Sequence, residues 1–571
     1  MLDNPTQLSA SQPTRRMPVS EALAYRIKQL GVETCFGLMS EETIGLIATL
    51  DTIGVRFCAV RHETNAVLAA EGYASMSGRL GIVIVGRGPA SANAMHGIMV
   101  AARSGSPVLV IMGEEEQRPA VNALGPDYKT FNAPAVMAAA GLTAMKVFNP
   151  GDALGTFDVA FAAALRGQVV TLHLAGSIFN ADVAMAPAQA GVSDLMPRTI
   201  VAAGRSHAVE AAVVLLGRSK RPLIVAGLGA HRSGARQALE QLAEKIGGLL
   251  ITSLKGKDLF RGSPLDLGLC GSFSHSVARK YVAQADCVLV AGAGLNFYTT
   301  SNGTFFPDVP IIQVDVDRAH IGRWHPADVA VVGDARSVAE QLLHAVPERA
   351  ASEKPFHDDL ALREIARFDV RRDVQVAHTN RTLDPRITAI ELGGMLPAIR
   401  NVVYDAGNFM MVACYIPVPS PAHFKVTSDF ASMGAGFGTA LGVAVARADE
   451  VTVLIVGDGG FVMTLQELET VARLGLRIVI AVFNDCAYGA ELHMSRIHGL
   501  PEATTLFADV DFAPLAEALG FQSATLRTPE DLENARDLLG ACDGPILLDC
   551  KVNADVQAPF ITELLEKLAK H

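Results

Sequence analysis

Gly457-Asp458-Gly459-Gly460 closes a run of β-branched residues, Val451 to Val456, and precedes a helical pattern that opens at Thr464-Leu-Gln-Glu-Leu. An acid at the carboxyl end of a strand, beside glycines with bare amides, puts a carboxylate and anion-binding N–H groups at one edge. That carboxylate repels phosphate oxygens unless a hard divalent cation lies between them. Such a cation needs a second oxygen ligand. The next strand-like run, Arg477 to Phe483, ends in Asn484-Asp485-Cys486-Ala487-Tyr488-Gly489. Asp458 and Asp485 stand 27 residues apart, about the length of one strand, one crossover helix and one parallel strand. Read singly, Asp458 caps a helix and Asn484-Asp485 makes a turn. Read together at this spacing, they point to a divalent cation set between the acids and phosphate oxygens.

Three more glycine loops end strand-like runs: Gly86-Arg-Gly88, Gly227-Leu-Gly229 and Gly292-Ala-Gly294. A dinucleotide fingerprint needs a further glycine three residues on, and the four loops carry Ser91, Arg232, Phe297 and Val462 there. No Gly-Lys-Ser/Thr loop occurs, so both the Rossmann and the P-loop readings fail.

The elements that would position these loops alternate along the whole chain. Gly81–Val85, Pro107–Ile111, Pro222–Val225, Cys287–Val290, Pro310–Val316, Val451–Val456 and Pro545–Asp549 read as buried strands between Ala/Leu-rich helical stretches. This predicts an α/β protein with doubly wound parallel sheets. Ala181–Arg198 and Pro347–Arg371 interrupt the alternation and read as linkers between three domains. A weak internal echo joins the first and third: Ala69-Ala-Glu-Gly72 leads to Ile82–Gly88 much as Ala440-Leu-Gly442 leads to Val453–Gly459.

Composition excludes several classes. The 571 residues are 50% hydrophobic and only 19% charged, enough apolar surface for several cores and too much for bulk disorder. Lys+Arg 48 against Asp+Glu 59 leaves a net charge of -11 with no basic block, which argues against nucleic acid. The eight scattered cysteines form no CxxC pair and read as reduced thiols. Met1 to Met17 is polar without a signal-peptide core, and no apolar run approaches the roughly 20 residues of a membrane helix. A cytoplasmic protein with no membrane partner is the expectation.

Gly457-Asp-Gly with Asn484-Asp485 resembles the thiamine diphosphate motif, GDG with a closing NN, of the acetolactate synthase and pyruvate decarboxylase superfamily. The resemblance extends along nearly the whole chain through Arg61-His62-Glu63, Ala70-Glu-Gly-Tyr-Ala74, Gly88-Pro-Ala-Ser-Ala-Asn93, Ile312-Gln-Val-Asp-Val-Asp317 and Ser432-Met-Gly-Ala-Gly436. It implies a pyrimidine-binding domain at 17–181, a central domain at 199–346 and a diphosphate-binding domain at 373–559. It also implies that Asp458, Asp485 and the Ala487 carbonyl hold Mg2+, with the Gly459 and Gly460 amides near the diphosphate. Gly407-Asn408 would meet the diphosphate from the preceding loop. Glu63 would hydrogen-bond the aminopyrimidine as the activating acid, Met433 would be the apolar wedge under the folded cofactor, and the Ala431 carbonyl would accept from its amino group. Asp485 departs from the usual Asn, and aspartate remains a sound ligand for a hard cation. Glu63 and Asp458 would meet across a subunit interface, so a homodimer or homotetramer is expected.

The resemblance implies an enzyme that makes or breaks a carbon–carbon bond beside a carbonyl, with 2-oxo acids, aldehydes or hydroxy ketones as substrates. Acetolactate synthase-like chemistry fits the pattern best. The paired histidines of pyruvate decarboxylases are absent, the corresponding stretch being Ile111-Met-Gly-Glu-Glu-Glu-Gln-Arg118. Gly294-Leu-Asn-Phe-Tyr298 lacks the arginine expected to grip a flavin, which disfavours FAD. Tyr128-Lys129 stands where the family usually has Phe-Gln, making Lys129 a candidate partner for a substrate carboxylate; His493 and His498 are further candidates for facing the substrate. Two alternatives stand beside this reading: a 2-oxo acid decarboxylase or hydroxy ketone lyase on the same fold, and a non-catalytic cofactor-binding regulator.

Overall fold

The strands quoted above form where their β-branched runs predict, Gly81–Val85 with the same bounds and the others shifted by one to three residues at one or both ends. In this computed structural model, which describes residues 16–116, 128–185, 203–204, 206–350 and 352–568, they belong to three six-stranded, wholly parallel sheets. The first sheet has the order Arg56–Ala59, Thr34–Gly37, Gly81–Val85, Val108–Glu114, Val169–Ala175, Thr143–Lys146. The second runs Asp266–Leu269, Leu249–Thr252, Pro222–Ala226, Cys287–Ala291, Ile311–Asp315, Val329–Val332. The third runs Phe424–Val426, Arg400–Tyr404, Val451–Gly457, Ile478–Asn484, Ile546–Lys551, Gln522–Leu526. Central strands such as Gly81–Val85, Cys287–Ala291 and Val451–Gly457 are buried at every position. Helices therefore cover both faces, and an unbroken apolar run replaces an alternating one.

By its contacts the chain divides into two units. One comprises 1–198 with 438–446 and 469–474; the other comprises 199–437, 447–468 and 475–571 and holds the second and third sheets. Within the first unit the internal echo has a packing meaning. A Cβ on Gly72 would overlap the Thr439 carbonyl, and one on Gly442 would overlap the Ala69 carbonyl. The two matched glycines let helix Glu63–Ser77 and the 438–446 segment approach backbone to backbone.

The two interruptions differ from flexible connectors where they are described. Asp182–Ala184 pairs antiparallel with Arg16–Pro18, and 186–202 lies outside the described residues. Pro347–Arg371 docks on the second sheet's core: Phe356 and Ala361 are buried, and the Phe356 ring meets Tyr281 edge-on at 5.9 Å. Arg349 donates to the carbonyls of Lys220, Ile246 and Lys354. Phe368, stacked on His275 at 4.0 Å, and the partly buried Leu362 and Ile365 add to this seating of a polar segment that carries no long apolar run. All eight cysteines are free thiols. Among the described residues no helix is long and apolar enough to cross a membrane.

Candidate active site

In the third sheet the chain starts at Arg400–Tyr404, adds Phe424–Val426 on one side and then crosses over to Val451–Gly457 on the other. The carboxyl ends of Arg400–Tyr404 and Val451–Gly457 thus flank a topological switch point, where open parallel sheets form a crevice. A cleft lies there. It is lined by Gly407, Asn408, Ala431, Met433, Asp458, Gly459, Gly460, Asp485 and Ala487. Every residue that the resemblance assigned to the metal and diphosphate falls in that one cleft. The register Gly457↔Phe483 sets Asp458 beside Asn484-Asp485, so the 27-residue spacing is one parallel crossover.

The helix after the first acid begins at Asp458 itself, as Asp458–Val462, and a second begins at Glu467; Thr464 lies between them. The glycines are required by close approach. A Cβ on Gly459 would stand 2.7 Å from the Tyr488 ring, and one on Gly460 would stand 2.5 Å from Asp405 Oδ2. Across the cleft, Asn484-Asp485-Cys486-Ala487 turns sharply, with Cys486 in the left-handed region at φ 57. Backbone bonds from Tyr488 N to Thr505 O at 2.8 Å and from Phe507 N to Cys486 O at 2.7 Å pin this turn.

Asp458 is buried, Asp485 is half-buried, and the two carboxylates face one another. Burial raises the Asp458 carboxyl to about 7 against the pull of the Gly459 and Ala487 amides. Burial and then the Asp458 charge drive Asp485 well above the ordinary carboxylate range. Ala487 N donates to Asp485 Oδ1 at 3.2 Å. Among the described residues lining the cleft none is basic. Two crowded carboxylates without a counter-charge form an all-oxygen donor set that suits a hard divalent cation.

Asn408 lines the cleft with its side chain already committed, Nδ2 donating to Val556 O and Oδ1 accepting from Ala558 N, both at 2.9 Å. These two bonds fix the orientation of the amide and use one of its two N–H donors and one of its two lone pairs. Ala431 sits at φ 54, a conformation that costs a non-glycine residue about 1–2 kcal/mol. Met433, two residues on, is half-buried in the same wall.

Glu63 belongs to the other unit. It is the first residue of helix Glu63–Ser77, capped by His62 Nδ1, and is only 7% exposed. Asn93 Nδ2 donates to its Oε2 at 3.0 Å, so the Gly88–Asn93 motif serves to orient this acid. Lys129 is half-buried beside Gly88, in the same unit as Glu63. Neither His493 nor His498 lines the cleft: His493 is buried, which lowers its pKa, and His498 is exposed at a helix end.

Sequence reasoning missed three contributors. Tyr298 and Phe560 form the far wall, their rings edge-on at 5.6 Å. They come from distant segments and carry no local signal. Asp405, fully buried beneath the cleft, follows its strand just as Asp458 does, and Tyr404-Asp405-Ala-Gly407 is the strand-acid-glycine signal that could have found it.

Three family models match the chain: thiamine pyrophosphate enzyme N-terminal TPP binding domain over 17–128, central domain over 209–342 and C-terminal TPP binding domain over 405–550. The chain is 26% identical over 563 residues to a probable acetolactate synthase large subunit of Methanocaldococcus jannaschii, covering 95% of this chain and 93% of the relative. It is 26% identical over 536 residues to the acetolactate synthase isozyme 3 large subunit of Escherichia coli, covering 90% and 91%. It is 27% identical over 543 residues to a probable 2-ketoarginine decarboxylase of Pseudomonas aeruginosa, covering 94% of each.

Proposed function

This chain belongs to the thiamine pyrophosphate enzyme family, and from that membership we propose a Mg2+-dependent carboligase or lyase that acts on 2-oxo acids, aldehydes or hydroxy ketones. The observation that carries the metal is the pair of facing carboxylates, buried Asp458 and half-buried Asp485, in a cleft whose described lining residues include none that is basic. Asp458, Asp485 and the Ala487 carbonyl would hold Mg2+, and the Gly459 and Gly460 amides would meet the diphosphate. When bound, the cofactor supplies a nucleophilic carbon that adds to a carbonyl and an electron sink for the bond that breaks.

The chain's own residues would bind, orient and move protons. Met433 and the Ala431 carbonyl would fix the fold of the cofactor. Glu63 would hold and pass a proton through the carboxyl oxygen that Asn93 does not occupy, Asn93 Nδ2 fixing the group by donating to Oε2. Tyr298 and Phe560 would keep water from the far wall. A dimer or tetramer is proposed, in which Glu63 of one copy serves the cleft of another, and cytoplasmic residence follows the same reading.

Acetolactate synthase-like carboligation is the favoured outcome, supported by the relatives named above, and FAD is disfavoured on this chain's own residues. The central glycine loops commit their amides to backbone: Gly227 N donates to Ala291 O, Gly229 N to Gly292 O and Gly292 N to Val314 O. No arginine stands in Gly294–Tyr298. The 2-ketoarginine relative supports decarboxylation as the second reading. Product analysis with pyruvate, alone and with an added aldehyde, separates the two, a hydroxy ketone marking carboligation and free aldehyde marking decarboxylation. Calorimetry with thiamine pyrophosphate and Mg2+ tests the site itself; no heat from stripped protein would overturn the reading.

A further inference from the structure

Beneath the cleft, Asp405 joins two walls that the chain supplies separately. Its Oδ2 accepts from Gly434 N at 2.7 Å and its Oδ1 from Gly436 N at 2.9 Å, the amides that open the helix Ala435–Ala446. Thr427 Oγ1 donates to the same Oδ1 at 3.2 Å, so the loop 427–436 is held at both ends by one carboxylate. That loop carries Ala431, in its strained left-handed conformation, and Met433. On the other side Oδ2 abuts Gly460. A carboxylate at the start of a helix is also favoured by the helix dipole.

We propose that Asp405 is a positioning residue that sets the Ala431–Met433 wall against the diphosphate cradle, acting on the cofactor's ring end without touching it. This rests on the proposed placement of thiamine pyrophosphate in the cleft. A non-glycine residue in the left-handed region persists only where its surroundings over-determine it, and three hydrogen bonds to one buried acid supply that constraint. Asparagine at this position has nearly the same shape and still fills the space against Gly460. Its amide has one acceptor where the carboxylate has two, so it cannot receive Gly434 and Gly436 together. The loop should loosen while the cradle keeps its form.

The experiment is calorimetry on stripped wild type and Asp405→Asn with two probes, each with Mg2+: inorganic diphosphate, which uses the cradle alone, and thiamine pyrophosphate, which also uses the wall. The expected result is a diphosphate Kd within twofold of wild type and a thiamine pyrophosphate Kd raised at least tenfold. Met433→Ala should weaken thiamine pyrophosphate as well, and the double variant should be no worse than about twofold beyond Asp405→Asn, because both changes remove one wall. Equal weakening of both probes, unchanged binding of both, or full additivity overturns the inference. A wild type that binds neither probe overturns the proposed cofactor site itself. If Asp405→Asn fails to fold, Thr427→Val decides: a selective loss of at least threefold for thiamine pyrophosphate is expected, and wild-type binding refutes it.

Discussion

Asn484 Nδ2 donates to Asp549 Oδ1 at 2.9 Å, so of two adjacent polar residues in the proposed metal-binding loop the first turns into the protein and the second, Asp485, turns into the cleft. Asp549 is fully buried and also accepts from Phe512 N, while Lys551 Nζ lies 3.1 Å from its Oδ2. Lys551 is itself buried and bridges outward to Asp509 and Asp511. Removing the lysine strands a buried carboxylate. Lys551→Met should therefore destabilise the protein by about 3 kcal/mol or more, and Asn484→Ala by about 1–3 kcal/mol. Urea titrations check both; a loss under 1 kcal/mol for Lys551→Met would show that Asp549 finds compensation elsewhere.

Glu63→Gln separates chemistry from structure. Glutamine retains an oxygen to accept from Asn93 but cannot hold or transfer the proton. Turnover should fall by about 10²-fold or more, while the melting temperature stays within a few degrees of wild type. Steady-state kinetics beside a thermal melt gives both numbers, and near-normal turnover would remove Glu63 from the proposed mechanism.

Asp485→Asn should keep cofactor binding, since an amide oxygen also ligates a hard cation and one of two repelling charges is removed. Calorimetry with Mg2+ and thiamine pyrophosphate should return a Kd within about tenfold of wild type, given that a buried like-charge contact and a ligand charge change in opposite senses. Complete loss of binding would mean that this chain requires the carboxylate.

What the sequence made legible was whatever its local order determines. Asp458 and Asp485 belong to consecutive strands of one parallel crossover, so their separation in sequence translates into proximity. The onset of the helix at Asp458 was hidden because Gly459 and Gly460 have poor helix propensity; their presence answers to Tyr488 and Asp405, neighbours that sequence order does not reveal. Tyr298 and Phe560 meet only after two chain segments fold back on each other. Asn408 looked free to meet a ligand, yet its amide is committed to Val556 and Ala558, some 150 residues onward.

The helix contact within the first unit gives a sharper packing test. A methyl group on Gly442 would collide with the Ala69 carbonyl, which is backbone and cannot rotate away. Gly442→Ala should cost about 2–3 kcal/mol or prevent folding, as overpacking against rigid neighbours does. Gly78→Ala offers no such clash, as nothing stands within 4 Å of a Cβ there. Its cost should be about 1 kcal/mol, from the left-handed φ of 69 alone. Paired urea titrations distinguish the two; equal losses would show that the close approach is not fixed.

His275 gives the protein a pH dependence of defined sign. Its Nδ1 accepts from Ala278 N at 3.1 Å as the cap of helix Ser276–Val282, and its ring stacks on Phe368 at 4.0 Å. Burial lowers its pKa from 6.5 to about 4, only partly opposed by Asp373 and the Leu267 carbonyl. Between those two values the unfolded chain binds more protons than the folded one, so stability rises with pH. The contribution is complete above pH 6.5 and is lost as pH falls through that window toward 4. At about 1.4 kcal/mol per pKa unit over the two units below 6.5, the loss approaches ~2.5 kcal/mol by pH 4.5. His275→Asn keeps a cap acceptor and removes the titration. Unfolding free energies at pH 4.5, 5.5 and 7 should converge for wild type and variant at the acid end and diverge in favour of wild type toward neutrality. Parallel curves would mean that the imidazole is hydrated in the folded protein and free to take its proton there.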